Sequence, residues 1–562
     1  MYATLIGLLK GIQHFKAHAY EEKKKLFSLL VNGQKPSTLF ITCSDSRIIP
    51  ALITNSDPGN LFVGRNVGNV IPLPSSESSS IAAVIEYAVK VLDVQEIVVC
   101  GHTHCGAMNS LHTPHLEEIL PTVAGWLAET KSQLHEHTDS EIHSLTKASE
   151  ENILNQIKNL HAYPAIIEKL EQSQLSIHGW LYEFETGQIR AYESSSKQFV
   201  AIDEVKPNVS HDKTPLTCKL VEGVRHFKAH EYLQKKELFT SLTGGQSPKA
   251  LVIACADSRI TPTLITNTEP GEIFVVRNVG NIVPPHSSIP SGEAAAIEYA
   301  LKVLQIKNII VCGHSHCGAM QGLLTPDLEK DLPAVASWLI YAKPTLERLK
   351  EKHHESSEHP LVCATKENTL VQINNLKTHP IVIEKLTNNE LQIYAWFYDF
   401  EAGEVLIYDQ EIGDFISFDD TVTKVFLSEE VLAKMNAIVE EEAMSYLTSL
   451  ASPTTEEAYK LVMPILNTIK LTGISVIWEY IKTPVTIRLD AEFGGLCPHP
   501  NDKRFTSLVE KSLEVKLAGV RLLQKQLMDS PAYRQVCSQT SPLFMTMPKA
   551  EPGEKVSNGL GL

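Results

Sequence analysis

Apolar residues over the first four hundred positions follow two alternating rhythms. Residues 37–42 form a short apolar run that stops at Cys43, and 60–64 form another. Residues 78–92 then switch to helical spacing through Ile81, Ala82, Ile85, Ala88, Val89 and Leu92. Residues 96–100 return to a β-branched run and end at Gly101-His102. The same succession recurs at 250–254, 272–276, 292–304 and 308–312. Strands alternating with helices predict an α/β fold with mainly parallel central sheets flanked by helices. The Cys and His residues that follow these runs are expected at the carboxyl ends of strands, where open parallel sheets place their sites.

The recurrence is an internal repeat. His14-Phe-Lys-Ala-His18, Cys43-Ser-Asp-Ser-Arg47, Arg65-Asn-Val-Gly-Asn69 and Gly101-His-Thr-His-Cys-Gly-Ala-Met108 each return 212 positions later. Glu151-Asn152 and Trp180 return after 216, so the second copy carries four extra residues, expected near 350–362. The period is a whole domain, which predicts a tandem duplication and not a solenoid. Copy one covers 1–205 and copy two 213–420, with a polar linker that contains Pro207 at 206–212. Beyond 420 nothing repeats. There, 421–545 predict a mainly helical extension (428–450, 455–469 and 505–527), and 546–562 a disordered tail.

Length and composition narrow the class. A chain of 562 residues predicts three or four domains. Its 43% apolar and 21% charged residues are those of a globular protein. A net charge of −16 speaks against a nucleic-acid partner. The start of the chain lacks a basic region and a small-residue cleavage site, which predicts no secretory signal. The most apolar late stretch, 461–481, is interrupted by Pro464, Asn467 and Lys470; it predicts a buried or amphipathic helix and no membrane span. Four of the ten cysteines fall into two matching constellations with His and Asp. That pattern is metal chemistry in a reducing, cytoplasmic setting, not a disulfide framework.

The constellations are Cys43 with His102 and Cys105, and Cys255 with His314 and Cys317. Thiolate and imidazole suit zinc, and two Cys with one His leave a fourth tetrahedral position. Water there would be acidified towards a pKa of about 7. Asp45 and Arg47 lie two and four residues beyond Cys43, and in an extended segment all three face one side. The carboxylate can take the fourth position itself, or the Arg fork can hold it bidentately. Either motif alone is weak. Both, after strands, in both copies and at one separation of 59 residues, point to a metal site.

C-x-D-S-R, R-N-V-G-N and G-H-x-x-C-G together resemble the β-class carbonic anhydrases, over nearly the whole of each copy. The resemblance implies zinc-dependent reversible hydration of carbon dioxide to bicarbonate and a proton, by attack of zinc-bound hydroxide, in two active sites per chain. It implies one zinc per repeat, on Cys43, His102 and Cys105 and on Cys255, His314 and Cys317. It implies catalytic dyads Asp45–Arg47 and Asp257–Arg259. Gln34 would hydrogen-bond the substrate beside an apolar wall of Phe62, Val67 and Tyr87, with the Gly106 backbone N–H near a substrate oxygen. In copy two these roles fall on Gln246, Phe274, Val279, Tyr299 and Gly318. The family's dimeric habit implies an intramolecular pseudo-dimer of the two copies, each completing the other's pocket, open to further association between chains. Two other readings use the same residues: a carbon disulfide or carbonyl sulfide hydrolase, and a zinc-containing scaffold for the C-terminal region.

Three further signals carry less. His104 and His316 read as solvated loop histidines, with proton shuttling as the alternative. His14/His18 and His226/His230, at i,i+4, read as amphipathic arms. Cys100 and Cys312 read as core residues.

Overall fold

A computed structural model describes residues 2–74, 78–135, 141–204, 217–352 and 358–427, with a few isolated positions beyond. The sequence readings for 206–212 and 546–562 lie outside these residues, and that for 421–545 almost wholly so. Residues 1–422 form one compact unit and 423–562 a second. In the second unit Arg488 pairs with Glu441 and Glu442, at 2.7 and 2.9 Å. Among the described residues no helix is long and apolar enough to cross a membrane.

The first unit is built on one twelve-stranded sheet. Copy one supplies β1 (Thr38–Cys43), β2 (Leu61–Asn66), β3 (Glu96–His102), β4 (Ser176–Glu183), β5 (Gln188–Glu193) and β6 (Gln198–Ala201). Copy two supplies β7 (Ala250–Cys255), β8 (Ile273–Asn278), β9 (Asn308–His314), β10 (Gln392–Asp399), β11 (Glu404–Asp409) and β12 (Asp414–Ile416). Their order is β12-β11-β10-β9-β7-β8-β2-β1-β3-β4-β5-β6. Within each copy the four central strands run parallel and the last two antiparallel. Every residue of β1, β2, β3, β7, β8 and β9 is buried. That is why these strands read as unbroken apolar runs: helices cover both faces of a parallel sheet.

The copies join where β2 and β8 pair antiparallel at Arg65 and Arg277. The seam continues beyond the strands. Val275 N–H donates to the Ser44 carbonyl and Val63 N–H to the Ala256 carbonyl, at 3.1 and 3.0 Å. The apolar clusters ignore the repeat boundary: one unites Leu39, Phe62 and Val99 with Cys255, Val279 and Trp338.

The N-terminal arms are exchanged. Helix α1 (Tyr2–Phe15) buries Leu5, Leu8, Leu9, Ile12 and Phe15 and leaves His14 and His18 exposed, their rings stacked 4.3 Å apart. It is the amphipathic arm its spacing predicts, but it lies on the other copy. Phe15 meets the Tyr398 ring edge-on, and the Tyr20 hydroxyl donates to the Glu401 carbonyl. The matching helix of copy two, α2 (Thr217–Ala229), leads to Phe227 against Tyr182 and to Tyr232, whose hydroxyl donates to the Glu185 carbonyl. Both crossings use a glycine. A Cβ on Gly11 would overlap the Thr266 carbonyl oxygen, and one on Gly223 the Thr54 carbonyl oxygen. Gly11→Ala and Gly223→Ala are each expected to cost about 1–3 kcal/mol, since backbone, unlike a side chain, cannot swing aside. Thermal unfolding of the whole chain checks this; an unchanged midpoint would mean that the arms do not seat there.

The 78–92 stretch departs from its expected single helix. Ser79 and Ser291 cap the helices Ser80–Glu86 and Gly292–Glu298 by accepting from Ala82 N–H and Ala294 N–H. From Tyr87 and Tyr299 the chain widens into a π-turn, closed by Leu92 N–H on the Tyr87 carbonyl and Leu304 N–H on the Tyr299 carbonyl. Helical periodicity cannot reveal such a turn, because it shifts the phase by a single residue.

Candidate metal centres

The donor atoms of Cys43, His102 and Cys105 lie within 4.8 Å of one another, as do those of Cys255, His314 and Cys317. Cys43 and His102 are the last residues of neighbouring strands β1 and β3, and Cys105 follows three residues on. Strand ends in register thus bring together residues far apart in sequence. All six are buried. His102 Nδ1 is 2.8 Å from the Thr103 carbonyl oxygen, and His314 Nδ1 is 2.8 Å from that of Ser315. Nε2 of each ring is buried without a hydrogen-bond partner. A buried ring nitrogen left so is costly, and a cation held with two sulfurs is the partner it lacks. The Cys105 thiol, donating to Cys43, holds the Cys43 sulfur well below the usual thiol range, and Cys105 well above it. Copy two repeats this on Cys255 and Cys317. Two sulfurs, one of them held toward the ionised form, and an imidazole nitrogen make a donor set that fits zinc.

The Asp–Arg pairs sit beside these trios, but not through strand alternation. Beyond Cys43 the chain turns: Ile48 N–H donates to the Asp45 carbonyl, and Asp45 Oδ1 accepts from Arg47 N–H at 3.0 Å. Arg47 then grips the carboxylate bidentately, Nε to Oδ1 at 2.9 Å and Nη2 to Oδ2 at 2.7 Å. Arg259 grips Asp257 likewise, at 2.8 and 2.6 Å. Burial opposes ionisation of Asp45, yet the Arg47 charge and fork outweigh it and hold the carboxyl below its ordinary range. The guanidinium is itself fixed: Nη2 donates to the His104 carbonyl, Nη1 to the Leu242 carbonyl of copy two, and the Phe184 ring lies 4.7 Å beneath.

Membership of the pockets corrects the repeat-by-repeat expectation. Gln34 does not face Asp45; its Nε2 donates to Asp257 Oδ2 at 2.7 Å. Gln246 Nε2 donates to Asp45 Oδ2, also at 2.7 Å. A Cβ on Gly318 would strike the Tyr87 hydroxyl, and one on Gly106 the Tyr299 hydroxyl. Phe62 shares an apolar cluster with Cys255, Val279 and Cys317; Phe274 shares one with Cys43, Val67 and Cys105. So Gln34, Phe62 and Tyr87 line the Cys255 centre, and Gln246, Phe274 and Tyr299 the Cys43 centre. Val67, Gly106, Val279 and Gly318 stay with their own copies. The cause is topological: with β2 beside β8, each copy's flank is the other copy's wall.

Several partners went unread in the sequence. Ser46 N–H and hydroxyl both donate to Gln246 Oε1, at 3.0 and 2.6 Å, so the amide nitrogen must face Asp45. Ser258 orients Gln34 in the same way. A signal existed: Ser46 persists in copy two as Ser258 while Ser44 becomes Ala256. His104 is partly exposed and His316 exposed, as solvated loop histidines would be, and each also meets an acid, Glu185 and Glu401. Nothing in the sequence marked those two acids. Cys100 and Cys312 are core thiols; burial pushes Cys312 up to about 12.

The R-N-V-G-N motif also resolves into parts. Arg65 Nε and Nη2 hold the carbonyls of Cys43 and Asp45, at 3.0 and 2.8 Å. Asn66 closes the loop on both backbone groups of Val70, each at 2.8 Å. Gly68, at φ 77°, brings its N–H to 3.4 Å from Cys43 Sγ.

A family model described as carbonic anhydrase matches residues 38–189 and 250–405. A carbonic anhydrase of Synechococcus elongatus is 44% identical over 38% of this chain and 79% of its own length. Beta carbonic anhydrase 3 of Arabidopsis thaliana is 37% identical over 36% of this chain and 80% of its own. A solved β-carbonic anhydrase, CcaA, is 43% identical, covers 36% of this chain and 91% of its own, and superposes with a TM-score of 0.35. With a matched segment in each copy and the motifs of both intact, the chain belongs to the β-carbonic anhydrases, as an enzyme of that family carrying two tandem copies.

Proposed function

We propose that this chain hydrates carbon dioxide to bicarbonate, reversibly, at two zinc centres held by Cys43, His102 and Cys105 and by Cys255, His314 and Cys317. The observation that carries this reading is the saturation of the neighbouring carboxylate. Asp45 accepts four hydrogen bonds, two on each oxygen, from Arg47 and Gln246. An ionised carboxylate has about four lone-pair sites. With all of them taken, Asp45 has none left for a metal, and the fourth position falls to solvent. Zinc, when bound, supplies the acidity that ionises water near neutral pH.

The chain's own residues do the rest. Asp45 Oδ2 lies 4.0 Å from His102 Nε2, so the carboxylate borders the metal side of the pocket. With its lone pairs turned to Arg47 and Gln246 it acts as a fixed negative charge that disfavours a second anion beside it, and the proton released in the reaction passes to solvent. Gln246 spends one N–H on Asp45; the second is left for a substrate oxygen. Phe274, Tyr299 and Val67 form a non-polar wall that a small apolar gas can reach without losing hydrogen bonds. Gln34, Phe62, Tyr87 and Val279 do the same for Asp257. The two copies thereby work as an intramolecular pseudo-dimer, supported by the shared sheet, the exchanged arms and the crossed glutamines.

Elemental analysis together with a stopped-flow indicator assay tests the reading. Two zinc ions per chain and rapid proton release from carbon dioxide are expected. A zinc-loaded chain that leaves carbon dioxide untouched but consumes carbon disulfide would replace this reading with the hydrolase one.

A further inference from the structure

Helix Glu141–Leu160 carries Asn152, Gln156 and Asn159 at i, i+4 and i+7, a polar stripe that is 1, 0 and 3% exposed. Buried amides at such spacing need partners, and these find theirs in the loop after β2 and in one another. Asn159 Nδ2 donates to the Ile71 carbonyl at 2.8 Å. Gln156 accepts from Ile71 N–H at 2.6 Å and donates to Asn152 Oδ1 at 2.9 Å. Asn152 Nδ2 donates to the Gly68 carbonyl at 2.9 Å. Copy two repeats each bond: Asn375 to the Val283 carbonyl, Gln372 with Val283 N–H and Asn368, and Asn368 Nδ2 to the Gly280 carbonyl at 3.0 Å.

The stripe ends on the glycine whose N–H faces the sulfur. Asn152 thus holds the peptide after Gly68, and the peptide before it, which carries that N–H, is held at its own carbonyl. Trp126 Nε1 donates to the Val67 carbonyl at 2.9 Å, and Trp338 Nε1 to the Val279 carbonyl at 2.9 Å. Gly68 N–H is 3.4 Å from Cys43 Sγ, and Gly280 N–H is 3.4 Å from Cys255 Sγ. Both glycines have left-handed φ, 77° and 83°. A Cβ on either would also crowd Ala107 or Ala319, at 3.1 and 3.0 Å. Only a glycine, clamped on both sides, presents its N–H there.

We propose that Trp126 with Asn152, and Trp338 with Asn368, are positioning residues for the metal-ligand sulfurs. They fix the two peptides that flank Gly68, and the two that flank Gly280, so that one N–H donates to each thiolate. That hydrogen bond lowers the energy of the sulfur lone pair and aims it. This rests on the zinc reading above. Partners outside the ligand shell orient ligands, and losing them costs roughly 10–100-fold in metal affinity.

The tandem chain supplies its own reference. Trp126→Phe removes the N–H together with the five-membered ring that carries it and keeps an aromatic ring in place; Asn152→Ala attacks the clamp from the other side. Zinc release to a chelator and the sulfur-to-cobalt charge-transfer band of the cobalt-loaded chain are the readouts. In either variant one of the two metal ions should leave roughly 10–100-fold faster while the other keeps its rate. The band of the affected centre should move to longer wavelength, because an unbonded sulfur lone pair lies higher in energy. Asn159→Ala removes a bond from the same stripe, three residues from the glycine. It should lower the unfolding temperature and leave release and band as they were. Equal acceleration at both centres, an unmoved band, or the same band shift in Asn159→Ala would overturn the proposal, since a general loosening predicts each of these. An unmodified chain that takes up no metal at all would instead sink the zinc reading on which the proposal stands.

Discussion

Replacing both His102 and His314 by alanine is expected to strip the chain of zinc and to reduce carbon dioxide hydration by more than about a thousandfold. Each histidine offers the only nitrogen of its trio, and its Nε2 has no other partner. Two sulfurs alone leave two open positions, a poor match to zinc's preference for three protein ligands and one water. A lost stabilising donor in an active site costs about 10²–10³ in rate. A lost ligand removes the source of the nucleophile itself, so the fall should be larger. Either single variant should keep one zinc and the turnover of the surviving centre. The folded state should persist in all three, because the histidines lie at strand ends whose pairing is backbone-made. Metal content, stopped-flow hydration and far-ultraviolet circular dichroism together decide the matter. A folded double variant that still hydrates carbon dioxide would place the chemistry elsewhere in the molecule.

The strands and the candidate donor trios were legible because both obey local rules. A run such as 96–100, buried on both faces, announces a parallel strand, and the motif after it follows from where strands end. The repeat multiplied that signal, since the same spacing appeared twice. What stayed hidden was which residues cross to the other copy's pocket. Gln34 stands nine residues before Cys43 in the chain and yet serves Asp257, because sequence distance says nothing about which side of a β2–β8 seam a loop falls on. The amide stripe went unread for another reason. Asn152, Gln156 and Asn159 look like the solvent face of an amphipathic helix, and only the irregular backbone of residues 67–71 explains polar groups buried against it. The Asp45–Arg47 pairing was right in partners and wrong in cause: a turn, not strand alternation, closes it.

The crossed glutamines give the second large effect, and it is opposite in sign to what membership by repeat requires. In a chain whose first centre is disabled by His102→Ala, all turnover belongs to Cys255, His314 and Cys317. Adding Gln34→Ala to that chain should then lower hydration roughly 10–100-fold, the range for a partner that orients a reacting group. It removes a donor from Asp257 Oδ2 and the amide aimed at substrate, and it leaves Ser258 without its acceptor. Adding Gln246→Ala instead should leave turnover near that of the His102→Ala chain, since Gln246 serves only the silent centre. The two variants make a matched pair. Each glutamine crosses the same seam through bonds to one Asp and one Ser, so any general loosening should lower the unfolding temperature equally in both. Only the active-site role separates them. If Gln246→Ala proved the damaging change and Gln34→Ala the harmless one, each centre would be a property of its own repeat, and the single sheet would be a scaffold for two independent sites.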